Sequence, residues 1–410
     1  MIGYKIFIMV FYALKKAFDG YIQYLDDSYA DKELPENVRD VYNAEEYAIH
    51  RKYQEESGRL DIIQEIVGIV YTLLFFGFNI HAKCFQLFSG MNVYLQYLAV
   101  IAVFTLISTV IAIPFRYYDT FVIEEKYGLN TTTKKTFWLD TLKSLVIAVA
   151  LTYFIVMGIR ILFIRFGNMA ILIGTVLALV LVLFLMLIIV PLMRIYNKFT
   201  PLEDGELKDK LLELCRKYDV TVRKIVVKDA SRRTTKSNAF CTGFGKRKTI
   251  SLDDNLVNNF SEDEIVSVFA HEFAHAKYKH TLKSLPLSIV SILLVFASMA
   301  FVLNVPQFYL SFGFDGINYM FAQEILDVCL WPVSTFISIV SNYFSRKHEY
   351  EADAFAAREG YGTDLIAALK KLHKEAESDI NPHPAKVFID YSHPTLSQRI
   401  TAIEKEAKGA

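Results

Sequence analysis

An uncharged run of 25 residues, Met169 to Met193, constrains the fold of this chain more than any other feature of its sequence. A helix needs about 20 residues to cross the roughly 30 Å hydrocarbon core of a bilayer, so this run is long enough to span it. Lipid offers no partners for backbone polar groups, and only helices or closed barrels are stable there. The whole chain is 53% hydrophobic with a mean hydropathy of +0.29, whereas soluble domains average about 45–50% apolar residues. These features predict an α-helical polytopic membrane protein.

Further apolar runs bring the number of predicted membrane helices to about seven. The predicted spans are Ile2–Tyr24, Ile66–Ile80, Val93–Phe115, Ser144–Phe166, Met169–Met193, Ser284–Val305 and Ile325–Phe344. The first is the weakest, because Lys15, Lys16 and Asp19 interrupt it. Ionisable residues inside the other spans, such as Asp327, are costly against lipid, and we expect them to face a polar interior.

The charges of the connecting segments predict how the spans are oriented. Residues 25–61 hold five Lys and Arg and residues 116–141 hold four, whereas residues 307–324 hold none. With seven spans, the basic segments fall on one side together with residues 194–283 and the C-terminal tail. Cytoplasmic loops carry the excess of Lys and Arg, so this side is predicted to be cytoplasmic.

Charge balance and cysteine spacing exclude two classes of function. Lys and Arg number 44, as do Asp and Glu, and the basic residues are scattered, so no nucleic-acid partner is predicted. The four cysteines are far apart and form no Cys-x-x-Cys pair, which predicts neither a disulfide framework nor a thiolate metal site. They are Cys84, Cys215, Cys241 and Cys329.

The motif that carries chemistry is His-Glu-x-x-His, formed by His271, Glu272 and His275. It lies in an apolar stretch that follows a Ser-x-x-Glu capping box at Ser261, so a helix is expected there. Side chains four positions apart share one face of a helix, and the two histidines can bind a single Zn²⁺. Glu272 is then placed to act as general base on a water molecule at the metal. The alternative is a pair of surface histidines on an amphipathic helix.

A third zinc ligand is predicted after the last span. Catalytic zinc sites usually combine three protein ligands with one water molecule. On a helix, Glu349 and Asp353 share a face, whereas Glu351 points roughly the opposite way. We predict Glu349 as the ligand and Asp353 as the acceptor for the ring N–H of a ligand histidine. Taken alone, this acidic face is also compatible with simple solvation.

The polar part of the chain is predicted to form a small α+β unit. The expected elements are helices at Glu203–Tyr218 and Thr363–Glu377, a strand at Val220–Lys228, and a hairpin of Asn238–Gly245 with Lys248–Leu252 that turns through Gly245, Lys246 and Arg247. The predicted division is residues 1–195 for spans one to five with their loops, 196–283 for the zinc-protease part, 284–345 for spans six and seven, and 346–410 for the C-terminal part with the third ligand.

Together these motifs resemble the integral-membrane zinc metalloproteases of the type I CAAX prenyl protease family. The metal motif followed by Glu349-x-x-x-Asp353 at a membrane exit carries part of this resemblance. Three other segments agree with that family's pattern, namely Phe121–Asn130 between the third and fourth spans, Ser237–Phe240 with Gly243, and Tyr391–Thr395 with Arg399. The resemblance covers nearly the whole chain, and the Phe121–Asn130 loop is its most specific part.

The resemblance implies a fold and a set of residue roles. It implies about seven transmembrane helices enclosing a water-filled chamber, which a small cytoplasmic α+β zinc-peptidase domain closes. It implies cleavage near the carboxyl end of membrane-associated substrates, in prenylated cases just after the modified cysteine. His271, His275 and Glu349 are the implied ligands of one zinc ion per chain, with Glu272 as base. The implied substrate contacts come from Asn238, Ala239, Phe240 and Arg399, with His393 at the substrate or the oxyanion.

Alternatives stay open at the level of sequence. A broad quality-control metallopeptidase for membrane proteins has the same site, and a transporter or channel with a non-catalytic zinc-binding domain is an alternative of another class. The intact Glu272 argues against the latter. For His393 the alternative is a capping or core histidine, and for Asn238 a plain turn residue.

Localisation and partners are predicted from the same features. The tail Lys405–Ala410 lacks the adjacent lysines of a retrieval signal, which favours a multi-pass protein of a bacterial plasma membrane over the endoplasmic reticulum, with a cytoplasmic zinc domain. Its expected partners are the lipid bilayer and peptide or protein substrates, lipid-modified in the prenylated case. If the host makes no prenylated proteins, a broader role in clearing membrane-associated polypeptides follows.

Overall fold

The computed structural model describes residues 2–220, 222–242 and 248–409 of this mostly helical protein. The helices are α1 (Ile2–Tyr29), α2 (Ala44–Gly77), α3 (Ile80–Leu87), α4 (Val93–Tyr118), α5 (Lys134–Phe166), α6 (Ala170–Met193), α7 (Glu206–Lys217), α8 (Asp254–Asn259), α9 (Glu262–Lys277), α10 (His280–Lys283), α11 (Leu285–Leu303), α12 (Pro306–Ser311), α13 (Tyr319–Ala356), α14 (Gly362–Glu375), α15 (Pro384–Asp390) and α16 (Leu396–Gly409). The strands are β1 (Phe199–Pro201), β2 (Val222–Lys228), β3 (Ala239–Thr242) and β4 (Lys248–Asp253).

Five helical stretches of the described chain are long and apolar enough to cross a membrane. They are Ala44–Gly77, Val93–Glu124, Lys134–Leu185, Leu285–Leu303 and Tyr319–Glu375. The third stretch contains α5 and most of α6, which meet at a short turn where Gly167 has a φ of 52°. The first predicted span, α1, is not among the five, and charged residues interrupt its apolar run. The polytopic helical architecture is therefore present, and the count of seven spans stays a prediction.

The charges that interrupt α1 are paired with charges on its neighbours. Lys15 Nζ lies 2.8 Å from Asp327 Oδ2 on α13, and Lys16 Nζ lies 3.2 Å from Glu65 Oε1 on α2. A paired charge is less costly at membrane depth than an isolated one. This pairing explains how an interrupted apolar run still forms a helix of 28 residues.

A four-stranded sheet begins the α+β part of the chain, with strand order β1-β2-β4-β3. The two central strands run parallel, and each outer strand is antiparallel to its neighbour. The predicted pairing of β3 with β4 is present, whereas the predicted turn at residues 245–247 lies outside the described residues. In the part of the chain that the structure describes, no strand pairs with the outer edge of β3.

Helix α9 forms the centre of this part of the protein. It packs against α13 and α14, and its residues Phe269 and Phe273 are buried with Phe355 of α13 and Leu365 of α14. Because α13 is one helix of 38 residues, it continues from a candidate span directly into this core. The helix that carries Glu349 therefore joins a candidate membrane span at one end to the core beside α9 at the other.

Candidate active site

The start of α9 determines which side chains face the site. The predicted capping box is present, with Ser261 Oγ accepting from the Glu264 backbone N–H at 3.2 Å and the Glu264 carboxylate accepting from the Ser261 N–H at 2.8 Å. A cap of this kind fixes the first turn of the helix. His271 and His275 then lie on one face, with their Nε2 atoms 3.2 Å apart.

Glu349 completes a three-residue cluster across the α9–α13 contact. Its Oε2 lies 3.3 Å from His271 Nε2, and its Oε1 lies 3.3 Å from His275 Nε2. Each of the three residues offers one ligand atom, and these atoms lie within 4.8 Å of one another. With bonds of about 2.0–2.1 Å, tetrahedral zinc holds its ligand atoms about 3.3 Å apart. The structure thus brings the three predicted ligands together at the spacing that zinc requires.

The bonding state of Glu349 also fits a cation. Its Oε2 is buried and has no hydrogen-bond partner among the described residues. A buried carboxylate oxygen without a partner is unfavourable, and a cation between the three side chains satisfies it. Two imidazoles and one carboxylate are, moreover, a donor set that peptidases use for zinc.

The electrostatics of His271 favour positive charge at this point. Burial by itself lowers the pKa of His271, but the nearby carboxylates of Asp353 and Glu349 outweigh it and raise the pKa to about 9. The carboxylates therefore stabilise a cation on the ring, which is either a proton or a metal ion. Since a metal replaces the proton on Nε2, its binding releases that proton.

Asp353 and Arg399 lie behind the ligands in a fully buried layer. Asp353 Oδ1 is 2.9 Å from His271 Nδ1, as predicted for an acceptor that orients a ligand. Arg399 donates to both oxygens of Asp353, at 2.8 and 2.6 Å, and its Nη1 lies 3.7 Å from Glu349. Arg399 is only 6% exposed. Arg399 is predicted to contact the substrate, but the structure encloses its guanidinium behind the three-residue cluster, against Asp353.

Glu272 and His393, the two predicted catalytic residues, have side chains that are at least partly accessible. Glu272 is half-buried, and its carboxylate makes no hydrogen bond or ion pair with the part of the chain that the structure describes, so it is free to bind water. His393 Nε2 lies 3.5 Å from Glu349 Oε1, and its side chain is 62% exposed. Exposure argues against a core histidine at this position. Both side chains are therefore reachable from solvent, as their predicted roles require.

Three of the predicted substrate-binding residues lie at or beside the free edge of the sheet, namely Asn238, Ala239 and Phe240. Asn238 is exposed, and its Oδ1 accepts from the Ala239 backbone N–H at 2.8 Å. Ala239 and Phe240 pair with β4, which leaves their opposite backbone edge open, and β3 packs beside α9. Gly243 of the same motif lies outside the described residues. The local hydrogen bond of Asn238 is also typical of a turn residue, so both interpretations of it stand.

Comparison with known proteins gives the family. Residues 26–195 match the family model described as CAAX prenyl protease N-terminal, five membrane helices, and residues 201–407 match Peptidase family M48. The chain is 30% identical to CAAX prenyl protease 1 of Saccharomyces cerevisiae, over 98% of this chain and 96% of that protein. It is 34% identical to the CAAX prenyl protease 1 homolog of Arabidopsis thaliana, over 92% and 91%. The crystal structure of S. mikatae Ste24p superposes with a TM-score of 0.91 at 30% identity, covering 98% of this chain and 100% of that one.

The chain belongs to the CAAX prenyl protease family of M48 peptidases. The resemblance that the motifs predicted is thereby confirmed, and the protein is a multi-pass membrane metalloprotease. Its similarity extends over both the membrane helices and the peptidase part, so the two form one family fold.

The most specific motif of the protease, the Phe121–Asn130 loop, lies against the segment that leads into β3. Glu124 of this loop accepts a hydrogen bond from Lys236 Nζ at 3.2 Å. Asn130 forms an antiparallel bridge with Thr234. The loop between two membrane helices thus supports the chain just before Asn238, which links the membrane part to the open edge of the sheet.

Sequence reasoning left two residues outside the site that the structure places beside it. His280 has no partner at ligand spacing in the sequence, and helical spacing predicts that Glu351 points away from the ligands. In the protease, His280 Nδ1 lies 2.9 Å from His275 Nδ1, and Glu351 Oε2 lies 3.1 Å from His280 Nε2. Helical spacing gave no signal for this contact, because His280 follows a break in the helix after α9.

Proposed function

We propose that this protease is a zinc endopeptidase that hydrolyses peptide bonds near the C-terminus of membrane-associated substrates, prenylated CAAX tails among them. The observation that carries the proposal is the cluster of His271, His275 and Glu349, whose donor atoms are 3.2–3.3 Å apart in a member of a metallopeptidase family. The substrate class rests on the relatives, which are named CAAX prenyl proteases.

The chemistry divides between the metal and Glu272. A zinc ion held by the three ligands supplies Lewis acidity that activates water and polarises the scissile carbonyl. Glu272 accepts the proton that the attacking water loses and returns it to the departing amine, so the protons balance over one hydrolysis. General acid–base catalysis of this kind contributes about 10²–10⁴-fold. The half-buried, unpaired carboxylate of Glu272 supports this role.

The open edge of β3 is proposed to bind the substrate backbone. A peptide that adds to a sheet edge is held mainly by main-chain hydrogen bonds, which tolerate varied side chains. Asn238, Ala239 and Phe240 provide that edge beside α9. His393, exposed next to Glu349, is proposed to donate a hydrogen bond to the tetrahedral oxyanion.

Asp353 and Arg399 are proposed to orient the ligands rather than to contact the peptide. Asp353 accepts from His271 Nδ1 and thereby keeps Nε2 available for zinc. Arg399 neutralises this buried carboxylate through two hydrogen bonds. We assign Arg399 to this layer because its contacts with Asp353 occupy its guanidinium.

The membrane arrangement remains part of the proposal. We propose seven spans, with α1 and the separate helices α5 and α6 included, around a water-filled chamber that the zinc domain closes on the cytoplasmic side. The paired charges Lys15–Asp327 and Lys16–Glu65 support a polar interior. The relatives compared above come from eukaryotes, so they add no support to a bacterial plasma membrane.

A paired hydrolysis assay tests the function. The purified chain and its Glu272→Gln variant are loaded with zinc in detergent and assayed on two peptides that differ only in a prenyl group on the cysteine. Gln keeps the size of Glu but accepts no proton, so we expect equal zinc content and a loss of turnover of about 10²–10⁴-fold. The expected product is a free amine at the residue after the modified cysteine.

The two peptides separate the candidate substrate classes. Faster cleavage of the prenylated peptide supports the CAAX role, whereas equal cleavage of both favours a broad membrane-protein peptidase. Zinc binding without turnover of either peptide by the parent chain contradicts the proposed activity.

A further inference from the structure

His280 connects the ligand His275 to a carboxylate on another helix. Both ring nitrogens of His280 are used, with Nδ1 at 2.9 Å from His275 Nδ1 and Nε2 at 3.1 Å from Glu351 Oε2. Lys283 Nζ lies 3.2 Å from the same carboxylate oxygen. The ring of His348 stacks on His280 with centroids 4.2 Å apart and planes within 7°. His280 is 4% exposed, so this arrangement is enclosed by protein.

A backbone feature between α9 and α10 makes this contact possible. In an uninterrupted helix, a residue five positions after His275 points about 140° away from it. Lys279 instead adopts a left-handed conformation with φ of 56°, which ends α9 and turns the chain. Such a conformation is unfavourable for a residue other than glycine and persists only where the surrounding structure requires it. Here it brings His280 back under His275.

The hydrogen bonds that connect His275, His280 and Glu351 can all be formed if each group donates in the same direction. If His275 Nε2 binds zinc, its proton resides on Nδ1, which must donate. His280 Nδ1 then accepts, and the remaining proton of this neutral ring lies on Nε2. Glu351 accepts from that Nε2–H, and Lys283 holds the carboxylate in place. Every donor in the series therefore meets an acceptor.

We propose that His280, together with Glu351, is a positioning residue that fixes the tautomer and orientation of His275 as a zinc ligand. The inference rests on the proposed function, since it takes His275 as a ligand. In this assignment His275 is supported through the imidazole of His280, whereas His271 is supported directly by the carboxylate of Asp353. A histidine that only fills space does not need a partner at both ring nitrogens.

Zinc affinity measured by chelator competition tests this role without any turnover. In the full-length detergent-solubilised protein, we expect His280→Ala to weaken zinc binding about 10–100-fold, the range found when a partner of a ligand histidine is removed. His280→Asn places an amide oxygen near the former Nδ1 position and is expected to recover most of that affinity. At saturating zinc, kcat is expected to fall in His280→Ala with KM nearly unchanged.

His50 provides a matched control for loss of a buried histidine. It is 2% exposed, its Nδ1 lies 2.5 Å from Glu377 Oε2, and none of its described contacts is with the zinc-ligand cluster. We expect His50→Ala to lower the Tm while zinc affinity stays within about twofold of the parent. The control therefore separates a general loss of stability from a loss of ligand positioning.

The outcomes distinguish this inference from the proposed function. Equal zinc affinity in His280→Ala and the parent overturns the positioning role, and so does an equal loss in His280→Ala and His50→Ala. If His280→Ala does not fold, His280→Asn is compared with His280→Gln, whose amide reaches the former Nε2 position instead. The positioning role is overturned as well if His280→Asn binds zinc no more tightly than His280→Gln. A parent that binds zinc but cleaves no peptide contradicts the proposed function, while the affinity comparison still decides the role of His280.

Discussion

The two histidines of α9 are supported in different ways on their two sides. His271 Nδ1 faces Asp353, a carboxylate with no exposed surface that Arg399 holds with two hydrogen bonds. His275 Nδ1 faces the uncharged ring of His280, and the carboxylate behind that ring, Glu351, is 36% exposed. The charged groups behind His271 are therefore buried, whereas the charged group behind His275 lies nearer the solvent.

This difference predicts unequal tolerance to change. Breaking a buried ion pair leaves an uncompensated charge in a medium that solvates it poorly. An exposed pair contributes little, because water and salt replace its partners. We therefore expect substitutions around His271 to affect folding and zinc binding together, and substitutions around Glu351 to affect zinc binding alone and more weakly.

The largest effect is expected for Arg399→Met. The substitution removes the guanidinium that donates two hydrogen bonds to Asp353 and leaves that carboxylate buried with only His271 as a charge partner among the described residues. Removal of one partner of a buried pair costs about 3–5 kcal/mol. Thermal unfolding of the detergent-solubilised chain is the measurement, with Lys283→Met as the control at an exposed cation. An Arg399→Met protein as stable as the parent contradicts the proposed role of the buried layer.

The next largest effect is expected for Asp353→Asn. The amide keeps an acceptor for His271 but loses the charge that Arg399 requires and that favours the ligand tautomer. We expect zinc affinity to fall about 10–100-fold, with a lower Tm than the parent. Chelator competition at fixed pH measures the first quantity. An affinity within twofold of the parent is incompatible with direct support of His271 by Asp353.

Glu351→Gln is expected to have a smaller effect than Asp353→Asn. The Gln carbonyl still accepts from His280 Nε2, and only the charge is lost. A charge-assisted hydrogen bond is roughly twice as strong as a neutral one, so a loss of about fivefold in zinc affinity is expected. The same chelator competition measures it beside Asp353→Asn. The comparison between the two sides fails if Glu351→Gln weakens zinc binding more than Asp353→Asn.

The smallest effect is expected for Lys283→Met. Its side chain is 49% exposed, and its contact with Glu351 is a surface pair at 3.2 Å. Exposed pairs contribute about 0–1 kcal/mol, and salt screens them. We expect the Tm and zinc affinity to stay close to those of the parent, and the small difference to shrink further at high salt. A loss of zinc affinity as large as that of Asp353→Asn contradicts this ranking, because it assigns Lys283 the same importance as the buried residues around His271.

The parts of the site that sequence could predict depend on local geometry. The capping box at Ser261 and the four-residue spacing of His271 and His275 follow from the helix alone, and the structure has both. Glu349 and Asp353 were selected by the same spacing and by the need for one more ligand. Glu349 follows His275 by 74 residues in the sequence. Its approach to α9 depends on tertiary packing, which no local sequence pattern describes.

The parts that sequence could not predict depend on departures from regular geometry or on burial. His280 was missed because the left-handed Lys279 changes its direction, and helical periodicity has no rule for such a break. Arg399 was expected to contact the substrate, because the resemblance of its motif implies a functional role but does not say whether the side chain is buried. Only the packing of α16 against α13 reveals that its guanidinium is enclosed.

The sequence by itself determined the membrane class, the metal motif and the family, because long apolar runs and short helical spacings act within a single element. The tertiary structure decided which side chains stand behind each ligand, since that depends on where α9, α13 and α16 meet and on what their contact buries. Whether a charge such as Arg399 faces a substrate or supports a ligand is set by solvent access, and solvent access exists only once the chain has folded.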